Sequence, residues 1–142
     1  VDLIYCCHAF EYLDREEAAL TLKEWHRVLR NGGTIRLAVP NFESIIKVYT
    51  KYKDIEHQGI LGPLYGRMPI KSSEGDIVLF HKTVYDYDSL SNKLEEASFV
   101  NVREWDWRDT EHRDFDDFSQ AYIPHMDKED GILISLNIEA DK

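Results

Sequence analysis

The chain has 142 residues, with a hydrophobic fraction of 43% and an aromatic fraction of 12%, which describes one globular domain and excludes a disordered segment. Lys and Arg number 17 against 27 Asp and Glu, so the net charge is -10, a field that repels phosphate backbones and anionic lipid and argues against nucleic acid or membrane partners. No apolar run approaches the roughly 20 residues that cross a bilayer, and no signal peptide is visible.

In chain order, Val1, Leu3, Ile4 and Tyr5 form a short apolar run, the pattern of a strand buried on both faces of a parallel sheet. The chain therefore reads as opening inside a core, with no polar lead-in. Cys6 and Cys7 are the only cysteines; as neighbours in a strand they point to opposite faces and are poorly placed to bridge, which fits a reducing, cytoplasmic setting. A helix follows from Asp14, where Glu17 three residues on gives the form of a capping box. Ala18, Leu22, Trp25 and Leu29 recur at helical spacing, and Asn31-Gly32-Gly33 supplies a left-handed stop.

The segment TIRLAVP reads as the next strand, closed by Pro40, and Asn41 can cap a second helix with Phe42, Ile45, Ile46, Tyr49 and Tyr52 as its apolar face. Strand, helix, strand and helix joined by short connections argue for crossovers onto a parallel sheet. Residues 59–75 lose periodicity and are rich in Gly, Pro and Ser, so they read as a long loop, either a lid or a flexible insertion. Asp86 caps a third helix over Tyr87 to Ala97, with Leu90, Leu94 and Ala97 inward. Val100 and Val102 form a strand, with Trp105 as an open extension of it, and Ile132, Ile134, Leu136 and Ile138 form an alternating one; without a helix between them they read as a long-armed antiparallel hairpin around a loop insertion at 108–131. No linker or repeat divides residues 1–142.

Three stretches together carry a resemblance: VDLIYCCHAFEYL, then LKEWHRVLRNGGTIRLAVPNFE, then LFHKTVYDYDSLSNKLEEASFVNVREW. Their order is similar to that in the C-terminal half of class I S-adenosylmethionine-dependent methyltransferases. In that family the fourth strand opens with Asp and its turn often ends Leu-Glu-His; here Asp2 and Phe10-Glu11-Tyr12 stand there. The family's Arg-Val-Leu-Lys-Pro-Gly-Gly before its fifth strand is matched by Arg27 to Gly33, and its Glu-Ala-Gly-Phe by Glu96-Ala97-Ser98-Phe99. The resemblance implies an α/β, Rossmann-like partial sheet holding the family's strands in the order four, five, seven, six, with helices on its faces and the last two strands an antiparallel hairpin.

The family's glycine-rich loop and the acidic residue that holds the donor's ribose are not found here; Gly59, Gly62 and Gly66 are spaced wrongly and follow a helix. The chain thus reads as a fragment. The parent protein is expected to move a methyl group from S-adenosylmethionine to a small-molecule acceptor, with sugar or polysaccharide precursors suggested by analogy. No cofactor is expected to bind this chain alone, and homo-oligomerisation is expected through an exposed edge at Val1–Cys6. Two other readings stand beside this one: a non-catalytic, self-associating half-domain, and another doubly wound binding domain.

By the same resemblance, Cys6, Cys7 and His8 on the turn after the fourth strand face the donor. His8 is read either as a general base or as a histidine that hydrogen-bonds the turn. Glu11 is read as capping or bracing the next helix, and Cys7 as packing. Asn41, Tyr65, Arg67 and His81, with Lys82 beside the last, are the acceptor-side candidates, and each has an ordinary surface or capping reading as well. His112 and His125 lie among aspartates and read better as a solvated acidic loop than as a cation site; no metal site is assigned.

Overall fold

The computed structural model describes residues 1–56, 59–73 and 75–142. In chain order its elements are β1 (Leu3–Cys7), α1 (Arg15–Val28), β2 (Thr34–Pro40), α2 (Phe42–Tyr52), α3 (Leu61–Tyr65), β3 (Met68–Ile70), β4 (Ile77–Leu79), α4 (Tyr87–Glu96), β5 (Val100–Glu104), β6 (Tyr122–Ile123), β7 (Ile132–Leu133) and β8 (Ser135–Asp141). The main sheet has the order β1-β2-β8-β5. β1 and β2 are parallel, joined through α1, while β8 runs antiparallel to both β2 and β5. The last strand therefore lies inside the sheet and β5 at its edge, as the expected hairpin requires.

Local chemistry sets the helix ends. Asp14 accepts from the backbone N–H groups of Glu16 and Glu17, and the Glu17 carboxylate accepts from the Asp14 N–H at 2.8 Å, completing the capping box. Asp86 and Ser89 build the same reciprocal pair at the start of α4. Gly32, at φ +71°, turns the chain out of α1 into β2.

One sheet face is apolar. Ile35, Leu37 and Val39 of β2 and Leu136, Ile138 and Ala140 of β8 pack beneath Ala18 and Leu22 of α1 and Leu90 and Leu94 of α4. The other face is polar and aromatic, and among the described residues it carries no long helix. The segment from Trp105 to Gln120 covers it: the Arg36 guanidinium lies over Trp105 and pairs with Glu139 at 3.0 Å, and Tyr5 packs against Trp105 and His112. Helices thus cover one face and short 3-10 turns the other, because β2 and β8 present Arg36, Asn137 and Glu139 there, which demand polar partners.

Several expectations need correction. β1 is half-buried, with Leu3 41% exposed, because it pairs only with β2 among the described residues. The buried side of α2 is Ser44, Ile45 and Val48; Phe42, Ile46 and Tyr49 are exposed. Residues 59–75 are not a plain loop: α3 and β3 lie within them, and β3 pairs antiparallel with β4. Residue 74 lies outside the described residues. The 108–131 insertion is also structured, by 3-10 turns and by β6, which pairs with β7. The alternating strand at the end is split at Ile134, whose N–H donates to Ala121 and whose carbonyl accepts from Asn41. Its split lets Ile123, Ile134, Ile45, Val48 and Ile60 form a second small core at the end of the sheet.

Candidate functional site

A cleft of about 780 Å³ opens at the carboxyl end of β1, where ligands bind in open α/β sheets. Its inner wall is built by the turn after β1. His8 takes φ +45°, which swings the chain sharply away from the strand, and its N–H donates to the Ala38 carbonyl at 2.8 Å. Phe10 then plugs the core at 0% exposure, stacked between Trp25 and Tyr85. With Phe10 fixed, Glu11 is carried inward beside the cleft.

His8 is held by a chain of hydrogen bonds. Its Nε2 lies 3.0 Å from Ser135 Oγ, the Ser135 hydroxyl donates to Asn137 Oδ1 at 2.8 Å, and Asn137 Nδ2 donates to the Ser119 carbonyl at 2.9 Å. Burial pushes the His8 imidazole down to about 4, with His81 adding to the shift, so at neutral pH the ring is uncharged.

Glu11 is the unusual residue. Its side chain is fully buried, and neither carboxyl oxygen has a hydrogen-bond partner among the described residues. Oε1 lies 3.7 Å from His8 Nδ1 and 3.5 Å from His81 Nε2. Burial raises this carboxyl to about 7. His81, also shifted down by burial, donates from Nδ1 to the Pro63 carbonyl at 2.9 Å. Gly66 makes room for that ring: a Cβ at this position, whose φ is +51°, would overlap the imidazole. Tyr12 donates to the Gly66 carbonyl at 2.7 Å and meets His81 edge-on, so the α3–β3 segment is pinned onto the β1 turn.

The facing wall comes from the insertion after β5. Asp116, Asp117 and Phe118 line it together with residues 120–126. Phe118 is 66% exposed and its ring lies 5.5 Å from that of His8.

The structure brings three of the sequence candidates, His8, Arg67 and His81, to the cleft. Cys6 instead packs against the main core, and Cys7 lies near Phe118 and Ser119 on the opposite face; neither lines the cleft, and burial pushes both thiols up to about 11. Asn41 does not line it either and caps α2, accepting from the Glu43 N–H at 3.1 Å. Tyr65 is 60% exposed and borders a separate shallow pocket; Lys82 borders the same pocket and pairs with Glu17 at 2.7 Å. Glu11 does not brace the next helix: Glu17 does that, and Glu11 is a cleft residue. His112 is not part of a solvated acidic loop but is buried against Tyr5 and Trp105, whereas His125 lines the cleft. No group of three metal-ligating side chains occurs among the described residues. Glu11, Asp116 and Asp117 are the site residues that sequence reasoning missed; the one available signal was the Phe-Glu-Tyr turn, where the family's motif also has Glu.

Among the described residues no glycine-rich turn follows a strand and no acidic side chain ends a strand beside the cleft.

A sequence profile for a methyltransferase domain matches residues 1–37, the stretch holding β1, His8, Glu11 and α1. No curated protein matches the chain. Among solved structures, the crystal structure of an S-adenosylmethionine-dependent methyltransferase from Mesorhizobium loti is similar, with a TM-score of 0.51 and 16% identity over 99% of this chain. This chain spans 62% of the length of that protein. The profile over residues 1–37 and the likeness of fold support a class I S-adenosylmethionine methyltransferase-like chain, mixed α/β in architecture. No helix among the described residues is long and apolar enough to cross a membrane.

Proposed function

We propose that the cleft is the acceptor side of a methyl-transfer site, and that the whole protein moves a methyl group from S-adenosylmethionine to a small molecule bound there. The observation that carries this reading is the position of His8 and Glu11. They lie at the carboxyl end of β1, inside the stretch matched by the methyltransferase profile, on the wall of a cleft sized for a small molecule. The donor would supply the electrophilic methyl group. This chain's residues hold the acceptor: the apolar lining buries its body, the two walls fix its orientation, and the buried carboxyl manages its proton. His8 is better placed to position Glu11 than to act as the base itself, since its imidazole resists protonation at neutral pH. Two free thiols and a strongly acidic surface support a place in the reducing cytoplasm.

Calorimetric titration with S-adenosylmethionine tests the reading. The 142-residue chain alone should bind the donor more weakly than micromolar, and the chain joined to a glycine-rich strand–turn–helix unit should bind it. Micromolar binding by the chain alone would overturn the division into two half-sites. No binding by the joined protein would overturn methyl transfer.

The outer edge of β1 supports a second reading, self-association by strand pairing, because that edge has no partner among the described residues. A concentration-independent monomer by light scattering, with unprotected amides in β1, would remove it.

A further inference from the structure

Resting on the reading of the cleft as an acceptor site, we infer that the acceptor is an amine, received by a cluster of Glu11, His8 and His81 that contains only hydrogen-bond acceptors. The inference comes from accounting for each proton. The Pro63 carbonyl can only accept, so the neutral His81 ring carries its hydrogen on Nδ1 and leaves a lone pair on Nε2. At His8 the chain of partners fixes the other tautomer. Asn137 Nδ2 donates to the Ser119 carbonyl, so Asn137 Oδ1 takes the Ser135 hydroxyl hydrogen, and Ser135 Oγ accepts from His8 Nε2–H. His8 Nδ1 is then bare. Both nitrogens that face Glu11 are acceptors, and so are both of its carboxylate oxygens.

A fully buried carboxylate beside two imidazole lone pairs lacks donors, and a buried acceptor left unmatched is costly. Its own backbone N–H acts on the carboxyl but is outweighed by burial, and the side chains around it supply no donor. Tyr12 donates to Gly66, the Tyr85 hydroxyl makes no hydrogen bond among the described residues, and the Cys6 thiol packs in the core. The Arg15 guanidinium lies over the Tyr85 ring and donates to Thr83 and Val84. With Glu11 ionised, a ligand that completes this cluster must bring N–H donors and positive charge. An ammonium brings three donors and a charge; a hydroxyl brings one donor and no charge; a carboxylate or phosphate brings repulsion.

The rest of the cleft agrees. Asp116 and Asp117 stand on the facing wall, the exposed Phe118 ring offers a face to a cation, and the net charge of -10 draws cations towards the protein. Arg67, on the α3–β3 turn, is the arginine in the lining. The proton balance closes without a further reagent. One ammonium N–H bond breaks, one carboxyl O–H bond forms on Glu11, and the nitrogen keeps the electron pair that a methyl group requires. Glu11 is the proton acceptor here, and the two rings beside it are the positioning residues. A sugar acceptor fits this chemistry where it carries an amino group.

The test uses the isotopically labelled chain and n-butylammonium as the probe, with n-butanol and butyrate as controls at pH 8. Butylammonium should give saturable shifts at the Glu11 carboxyl carbon and at the His8 and His81 ring nitrogens, and n-butanol and butyrate should not. It should also lower the pH midpoint of Glu11, an effect that a purely structural carboxyl does not show. Glu11→Gln should weaken butylammonium at least tenfold. The ligand-induced change in the Glu11 midpoint carries the test in the unmutated chain if that variant does not fold. Equal response to n-butanol, or no response at Glu11, overturns the inference. No donor is present in these titrations, so their outcome is separate from that of the S-adenosylmethionine experiment.

Discussion

Two carboxyl groups face each other across the cleft, and burial acts on them in the same direction with opposite results. Glu11 is fully buried without a donor, and its carboxyl rises to about 7. Burial would raise Asp117 too, but hydrogen bonds from Ser119 and Tyr5 outweigh it and hold that carboxyl below the usual range. The Tyr5 hydroxyl donates to Asp117 Oδ2 at 2.7 Å and the Ser119 N–H to Oδ1 at 2.8 Å. Donor supply, more than depth, therefore decides which carboxylate stays charged. One wall of the cleft carries a permanent charge and the other a proton that can come and go.

The largest disturbance to this contrast is loss of the plug beneath Glu11. Phe10→Ala should cost about 3–5 kcal/mol in chemical unfolding, since it empties a fully buried aromatic site. The same change frees the turn, so in any population that remains folded the Glu11 midpoint should fall towards the ordinary carboxyl range. A Glu11 midpoint that stays near neutral would mean that the turn is held by His8 and not by the core.

The next effect is a pH dependence that two neighbours conceal from each other. Glu11 is raised, so its contribution is fully present below about 4.5 and is lost as pH rises through about 7. His8 is lowered, so its contribution is present above 6.5 and is lost as pH falls through about 4. Between those limits the slopes oppose and largely cancel. Glu11→Gln should remove the falling limb and expose the rising one: relative to the unmutated chain, its stability improves as pH rises from 5 to 8, by on the order of 3 kcal/mol. His8→Asn should show the reverse. Parallel curves for all three proteins, measured by urea unfolding across this range, would show that neither group is shifted.

Legibility from the sequence followed the range of the interactions. Asp14 with Glu17, Asp86 before α4, and Gly32 after α1 act within four residues, so their roles could be read directly. The α2 face was misread because Phe42, Ile46 and Tyr49 are as apolar as the stripe that is buried, and only the position of the second core near Ile123 and Ile134 decides between them. β3 and β4 are three residues each, too short for a period to show. The site was least legible. His8 was visible as a histidine at a strand end, but Glu11 gains its meaning from His81, seventy positions away, and from Gly66, which admits that ring.

The smallest predicted effect probes the charged wall. Tyr5→Phe removes one of the three hydrogen bonds to Asp117, the other two coming from the Ser119 N–H and hydroxyl, and leaves the ring's contacts with Trp105 and His112. The loss should be about 1 kcal/mol, the ordinary net value of a hydrogen bond to a carboxylate that other donors and water still reach. The Asp117 midpoint should move up, because burial then acts against fewer donors. Glu11 should not respond, since its shift comes from burial on the other wall. If Glu11 moved together with Asp117, the two carboxyls would be sharing one field across the cleft, and the contrast between a fixed charge and a mobile proton would have to give way to a coupled pair.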